Sequence, residues 1–318
     1  MNVIKKNWFL IGLISITLIT LLDTHGVFVT PGLWVKDHGG PNIVIILIFF
    51  LSGLALNTQQ LQDGVSDMPG TLLALVLIFL VSPLLSLVFF ILPIPSGILL
   101  GLLLVAVMPS TLSSGVVMTG AAGGNMAHAL LVTILANSLA VVSIPLILGP
   151  LLNLAGIDRV IAIARLPIMM KILFLVLLPL ITGLATRRLY QTKLELFLPV
   201  TSIINQLAIL FIVWTALCGG REAIFSRLSS LAIIVAVVAA FHAALVSCGF
   251  LLTKLFSLPK GRRESVILMG GQKTLPLSVI LQVSLFPEYG LALALCVAHH
   301  IVHLIMDAFL IKYLHTKA

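Results

Sequence analysis

The chain has 318 residues, of which 60% are hydrophobic and only 9% charged, with a formal net charge of +8. Soluble domains carry about a quarter of their residues as charges, so this chain has too few to coat a water-facing surface. Its positive balance does not mark a nucleic-acid binder, because the lysines and arginines sit in short connections and form no basic stripe.

Taken in order, the sequence is a succession of apolar runs long enough to cross a bilayer as helices. The pattern predicts ten spans, near 7–22, 41–56, 69–92, 96–118, 126–149, 164–188, 199–218, 228–253, 263–284 and 289–311. Lys5 and Lys6 precede the first run as they would in a signal peptide. Its exit at Asp23 lacks a small-residue cleavage pattern, and it reads as a span. Cys218, Cys248 and Cys296 lie in or beside these runs with no ligand-like spacing, and they read as small hydrophobes.

Ten spans put Lys5, Lys6, Arg187, Arg188, Lys193, Lys254, Lys260, Arg262, Arg263, Lys312 and Lys317 on one side of the membrane. Only Lys36, Arg159, Arg165, Arg221 and Arg227 fall on the other. The richer side is expected to be cytoplasmic, which places both termini inside. Ten also divides into two sets of five, and an odd number per set turns the second upside down relative to the first. The expected fold is an all-α polytopic membrane protein, a single transmembrane domain over 1–318 built from inverted five-helix repeats at 1–150 and 151–318.

The fourth span carries MPSTLSSG at 108–115, and the ninth, fourth in its own half, carries GGQKTLP at 270–276. Pro109 and Pro276 remove backbone donors, and Gly270 and Gly271 permit close backbone approach. Broken backbone at membrane depth needs protein or a wet cavity to satisfy it. These matched positions are therefore the candidate helix breaks around a central binding region, with Ser113, Ser114, Gln272 and Thr274 as nearby polar groups. Asn125, at the mouth of the fifth span, and Thr133 and Asn137, one turn apart within it, are further candidate ligands. A lysine at depth costs about 2.5–3.5 kcal/mol or more. Lys273 is read as a substrate-anion contact, a protonation switch, a built-in charge replacing a bound cation, or a side chain snorkelling to the interface. In the last span His300, His303 and Asp307 are spaced for a proton relay, with His300 the leading member, or for an interfacial anchor. Asn205 and Gln206 either face the same cavity or cap the start of the seventh span. No nucleophile–base motif points to an enzyme.

WFLIGL, FFLSGLALNTQQL, MPSTLSSGVVMTGAAGGNMAHALLVT and GQKTLPLS, with the histidine of the last span, resemble the bile acid:sodium symporter (BASS) superfamily. The likeness is to its divergent SBF-like branch, which includes the seventh member of the vertebrate bile-acid carrier family. The resemblance implies ten helices in core and panel domains, discontinuous fourth and ninth helices that cross, and alternating access. It also implies a sodium site near Ser114, Thr133 and Gln272. The sequence departs from that pattern where Gly115 stands for an asparagine, Leu268 for a glutamate and Lys273 for a neutral residue. The expected function is thus a secondary transporter of a small, anionic organic solute in a bacterial inner membrane, with Na+ or H+ as coupling ion and no other cofactor. The pocket is expected to combine Lys273 with helix N-termini. The alternatives are a regulatory membrane protein without robust transport and a sodium-coupled bile-acid-like symporter. Expected partners are the lipid bilayer and the substrate, with no nucleic acid, in a monomer or weak homo-oligomer.

Overall fold

Prolines inside apolar runs shape the helices. The computed structural model describes residues 2–55, 68–112, 114–157, 165–190, 197–225 and 229–316, and all regular structure among them is helical. In chain order the helices are α1 (Asn2–Leu22), α2 (Val29–Asp37), α3 (Gly40–Ala55), α4 (Met68–Val76), α5 (Ser82–Leu87), α6 (Ser96–Ala106), α7 (Ser114–Ala121) and α8 (Met126–Leu154). They continue with α9 (Arg165–Ile172), α10 (Leu178–Leu189), α11 (Leu198–Phe225), α12 (Ser230–Leu255), α13 (Arg262–Gly271), α14 (Leu275–Leu285) and α15 (Gly290–Thr316).

Seven stretches among the described residues are long and apolar enough to cross a membrane: Met68–Ile91, Met126–Leu154, Leu166–Leu189, Val200–Glu222, Ser230–Leu255, Arg262–Leu285 and Gly290–His315. The pair α2 and α3, bent by 78°, makes an eighth candidate, while Trp8–Leu22 and Ser96–Ala106 are apolar but shorter. The difference from ten full-length spans has local causes. The expected 96–118 span unwinds ahead of Pro109, and a glycine at φ +76°, Gly39, separates α2 from α3. The chain is a polytopic membrane protein, with large apolar side chains such as Leu72, Leu84, Phe174, Leu251 and Phe309 on its outer face.

Two spans carry a wide turn at the same distance from a proline. A π-helical turn, Leu77–Val81, joins α4 to α5 just before Pro83, and another, Leu173–Leu177, joins α9 to α10 just before Pro179. In each, the residue preceding the proline bonds back five positions, Ser82 N–H to the Leu77 carbonyl and Leu178 N–H to that of Leu173. Proline offers no N–H and crowds the carbonyl four residues earlier, so the ladder slips by one position. The slip strands a carbonyl. With Ser82 committed to Leu77 and no donor on residue 83, the Ile78 oxygen loses its helical partner in either register.

Helices associate in lipid through close backbone contact rather than hydrophobic gain. The α3–α10 pair shows this. A Cβ added at Gly53 would lie 2.1 Å from the Leu180 carbonyl oxygen, and one added at Gly183 would lie 2.1 Å from that of Phe50. Beyond this pair, α3 packs on α11, with α1 and α2 also against α11; α12 packs on α13 and α15, and α6 on α15. Substituting alanine at Gly53 should destabilise the protein by at least about 1–3 kcal/mol, the usual cost of overpacking, read as a lowered thermal midpoint in detergent. Gly149→Ala, where a new Cβ meets nothing within 4 Å, should leave the midpoint level or raised.

The turn after α1 is held by one carboxylate. Asp23 accepts from the N–H groups of Val27, Phe28 and Val29 at 3.1, 2.8 and 2.9 Å and so caps α2 from outside. Desolvation acts to raise its pKa, but backbone donors from Val29, Phe28, Val27 and Gly26 outweigh it and hold the carboxyl below its usual range. A depressed folded pKa means that this cap is in force above the unfolded value and is lost as pH falls through the folded one. Amide protection factors at residues 27–29 should therefore drop below about pH 4 and stay low at all pH in Asp23→Ala. Unchanged protection in that variant would refute the capping role.

Candidate functional site

The helix breaks predicted at Pro109 and at 270–276 meet. α6 ends at Ala106 and α7 begins at Ser114; α13 ends at Gly271, Gln272 and Thr274 are extended, and α14 begins at Leu275 with Pro276 in its first turn. Thr274 N–H donates to the Pro109 carbonyl at 3.0 Å, one break bonded to the other. Beside it the Thr111 hydroxyl donates to Gln272 Oε1 at 2.6 Å and accepts from Gly115 N–H at 3.0 Å, while Ser114 Oγ lies 3.5 Å from the same Gln272 oxygen. The glycine at 115 is a matter of space, since a Cβ there would lie 2.8 Å from Thr111 Oγ1 and 2.9 Å from Met269 Sδ.

α8 braces the first break. Thr133 Oγ1 donates to the Thr111 carbonyl at 3.3 Å, and Asn137 Nδ2 donates to the carbonyls of Ser110 and Thr133 at 3.3 and 2.9 Å. All are buried, and Asn137 Oδ1 and Ser110 Oγ have no hydrogen-bond partner in the protein. Gly270 serves the second break, because any Cβ there would meet the Leu77 side chain at 2.1 Å. At Gly271 an added Cβ would press on Val246 Cγ2 at 3.3 Å and touch His242 at 3.6 Å, a milder conflict.

Lys273 is 2% exposed, and its ammonium does not face the cleft at the crossing. It donates to three backbone carbonyls, Met108 at 3.1 Å, Ile78 at 3.2 Å and Ala106 at 3.5 Å. The expectation that this charge lines a substrate pocket is therefore not met, and snorkelling is excluded by its burial inside the protein. The direction was set by the stranded Ile78 oxygen on another helix.

The cleft itself lies between the crossing and α1, α3 and α11, a narrow space of about 50 Å³. Thr111, Ser114, Thr274, Pro276 and His300 line it from one side, and Phe9, Ser52, Asn205 and Gln206 from the other. Asn205 Nδ2 donates to Ser52 Oγ at 3.0 Å and its Oδ1 has no partner in the protein. Asn205 and Gln206 thus face the cavity, the first of the two readings open in the sequence.

Behind the crossing, Gln272 Nε2 donates to Asp307 Oδ2 at 2.8 Å, and Asp307 Oδ1 lies 2.9 Å from His242 Nε2. Asp307 is 1% exposed, so it is no headgroup anchor, and its partner is His242 rather than His300. His242, His299, His300 and His303 cluster with ring centroids 4.7 to 6.0 Å apart, and no group of metal-ligating geometry exists among the described residues. Thr111 and His242 were missed by sequence reasoning. For His242 a signal existed, as the lone basic residue in the run 230–253.

One candidate sits elsewhere. Asn125 caps α8, its Oδ1 accepting from His128 N–H at 3.1 Å, and its own N–H donates to the Gly261 carbonyl at 2.8 Å. That contact clips the α7–α8 turn to the start of α13. There Gly261, at φ +90°, donates to the buried Glu264 carboxylate at 2.6 Å, which Arg263 also contacts at 2.6 Å. Ser113 lies outside the described residues.

Comparison with known proteins places this geometry. A profile of the SBF-like CPA transporter family matches residues 7–316. The chain is 29% identical over 284 residues to the probable sodium/metabolite cotransporter BASS4, chloroplastic, of Arabidopsis thaliana, covering 83% of this chain and 64% of that protein. It is 28% identical over 269 residues to sodium/bile acid cotransporter 7-B of Xenopus laevis, covering 81% and 74%, and 28% identical over 232 residues to sodium/bile acid cotransporter 7 of Rattus norvegicus, covering 68% and 63%. The match spans just under two thirds of the length of the plant relatives. These relatives are cotransporters and not enzymes, and across nearly its whole length this chain belongs to the SBF-like CPA transporter family.

Proposed function

We propose that the chain is a secondary transporter that moves a small organic anion across the membrane by alternating access. The observation that carries this reading is the cleft at the crossing of two broken helices. The N-terminal ends of α7 and α14 begin there, at Ser114 and Leu275, and such ends carry unsatisfied N–H groups and partial positive charge. The lining adds hydroxyls, the amides of Asn205 and Gln206, and His300, with no carboxylate among the described residues. Hydrogen-bond donors without negative charge suit a carboxylate or similar anion.

In this reading the chain has ten spans in two inverted repeats, 1–150 and 151–318, in a bacterial inner membrane with both termini cytoplasmic. The mutual packing of α1, α2, α3, α10 and α11 supports a panel that rocks against the remaining helices, with the cleft along the seam.

The relatives' names favour a second reading, sodium-coupled symport. Against a sodium seat at Ser114, Thr133 and Gln272 stands their chemistry. The Gln272 oxygen already takes the Thr111 hydroxyl, Thr133 is bonded to the Thr111 carbonyl, and Asp307 is held on the amide side of Gln272. Oxygens already committed to one another by hydrogen bonds are poorly placed to coordinate a cation.

Uptake into proteoliposomes of radiolabelled acetate, pyruvate, succinate and glutamate, with sodium and pH gradients imposed separately, tests both readings. At least one carboxylate should accumulate saturably. Asn205→Leu should cut that uptake about tenfold, the size of one lost hydrogen bond to a charged ligand, at unchanged protein yield, and Thr111→Val should lower it as well by releasing the Gln272 oxygen that its hydroxyl holds. Uptake of neutral sugars in place of every acid would defeat the anion reading, and full activity in both variants would remove the cleft from the path.

A further inference from the structure

An ammonium inside an apolar span needs compensation, and Lys273 finds it without an acid. Among the described residues no carboxylate lies within ion-pairing distance of its Nζ. Its partners are three main-chain oxygens, and none is an ordinary mid-helix carbonyl. Ile78 is the oxygen freed by the π-helical turn ahead of Pro83. Ala106 and Met108 close α6 where the chain turns away before Pro109, at the negative end of that helix's dipole. Ala106 is further fixed by the Ser82 hydroxyl at 2.8 Å. Carbonyls converging from separate elements on one point are how proteins replace the hydration shell of a monovalent cation.

We propose that the carbonyls of Ile78, Ala106 and Met108 form a monovalent-cation site that Lys273 fills permanently with its own ammonium, so that no cation from solution is required there. The site stands on this geometry alone; its bearing on coupling rests on the carrier reading, in which a charge fixed to the ninth predicted span cannot be released across the membrane. Sodium would then not be cargo at this seat, whatever its role in relatives.

The consequence is a chemical rescue. Lys273→Ala leaves three inward carbonyls around a space of side-chain size, open to a small cation. Thermal unfolding in lipid nanodiscs, at matched ionic strength, should show a wild-type midpoint equal in sodium, potassium and choline chlorides. Lys273→Ala should unfold at least about 4 °C lower in choline and regain stability saturably with sodium or methylammonium. Lys273→Met fills the same space without charge and should stay low in every salt. An alanine variant as stable as wild type in choline, or one raised equally by all salts, overturns the proposal. If the alanine variant does not accumulate, methionine decides alone: burying a thioether in place of an amine should stabilise a span that had no use for the charge, so a methionine midpoint at or above wild type overturns it. None of these readings needs transport, and failure of carboxylate uptake leaves them intact. Conversely, wild-type uptake that depends strictly on sodium, together with a wild-type midpoint raised by sodium and not by choline, removes the tethered cation while leaving the carrier standing.

Discussion

A bare carbonyl cannot be left in hydrocarbon, and this chain makes several of them. Pro83 and Pro109 interrupt two spans, and each interruption frees main-chain oxygens at depth. Lys273 closes that account from a third span, with an amine long enough to reach both interruptions. The pairing constrains everything around it. Gly270 must be bare so that the slipped turn at Leu77 can approach, α6 must stop where it does, and the second break must turn its lysine inward while its neighbour Gln272 turns to Thr111. Two costly features, an unpaired carbonyl and a buried charge, are each tolerated because the other is present.

Gln272 and Lys273 divide the crossing between them. Adjacent residues in extended backbone point to opposite sides, and here one side chain meets the polar groups of α7 and α15 while the other meets α6 and the π-helical turn. Gln272 takes Thr111 on its oxygen and Asp307 on its nitrogen, so the amide orientation is fixed by a donor at one end and a carboxylate at the other. The histidine–aspartate pair is thereby one hydrogen bond from the break and two from the cleft. Such a network is rigid only while every member is satisfied.

Much of this was legible in the sequence, for physical reasons that also mark where legibility ended. Apolar run length announces membrane helices, and proline beside glycine and hydroxyls announces a break, so the regions around Pro109 and Pro276 could be read directly. The bonds across the break could not. Thr111 and Gln272 are 161 positions apart, and nothing local to Thr111 distinguishes it from the hydroxyls that pack helices everywhere. Lys273 was visible as an anomaly, but its direction depended on a register slip caused by Pro83, and a proline in an apolar run reads equally well as a simple kink. Asp307 looked interfacial because the partner that buries it, His242, lies on another helix. Asn125 looked like a ligand because an N-cap and a binding amide have the same local signature after a glycine pair.

The clip between Asn125 and Gly261 has a bearing on how the two breaks hold together. The half-helices α7 and α13 leave the crossing toward the same end, and there a main-chain hydrogen bond joins Asn125 to Gly261 beside the His128–Ser265 side-chain contact. The bond joins two peptide groups, so it asks for no particular side chain at 125 or 261 beyond the turn that brings them together. A substitution at either position can therefore disturb this join only by moving the backbone, and the end shared by the two half-helices keeps a link that side-chain chemistry does not supply.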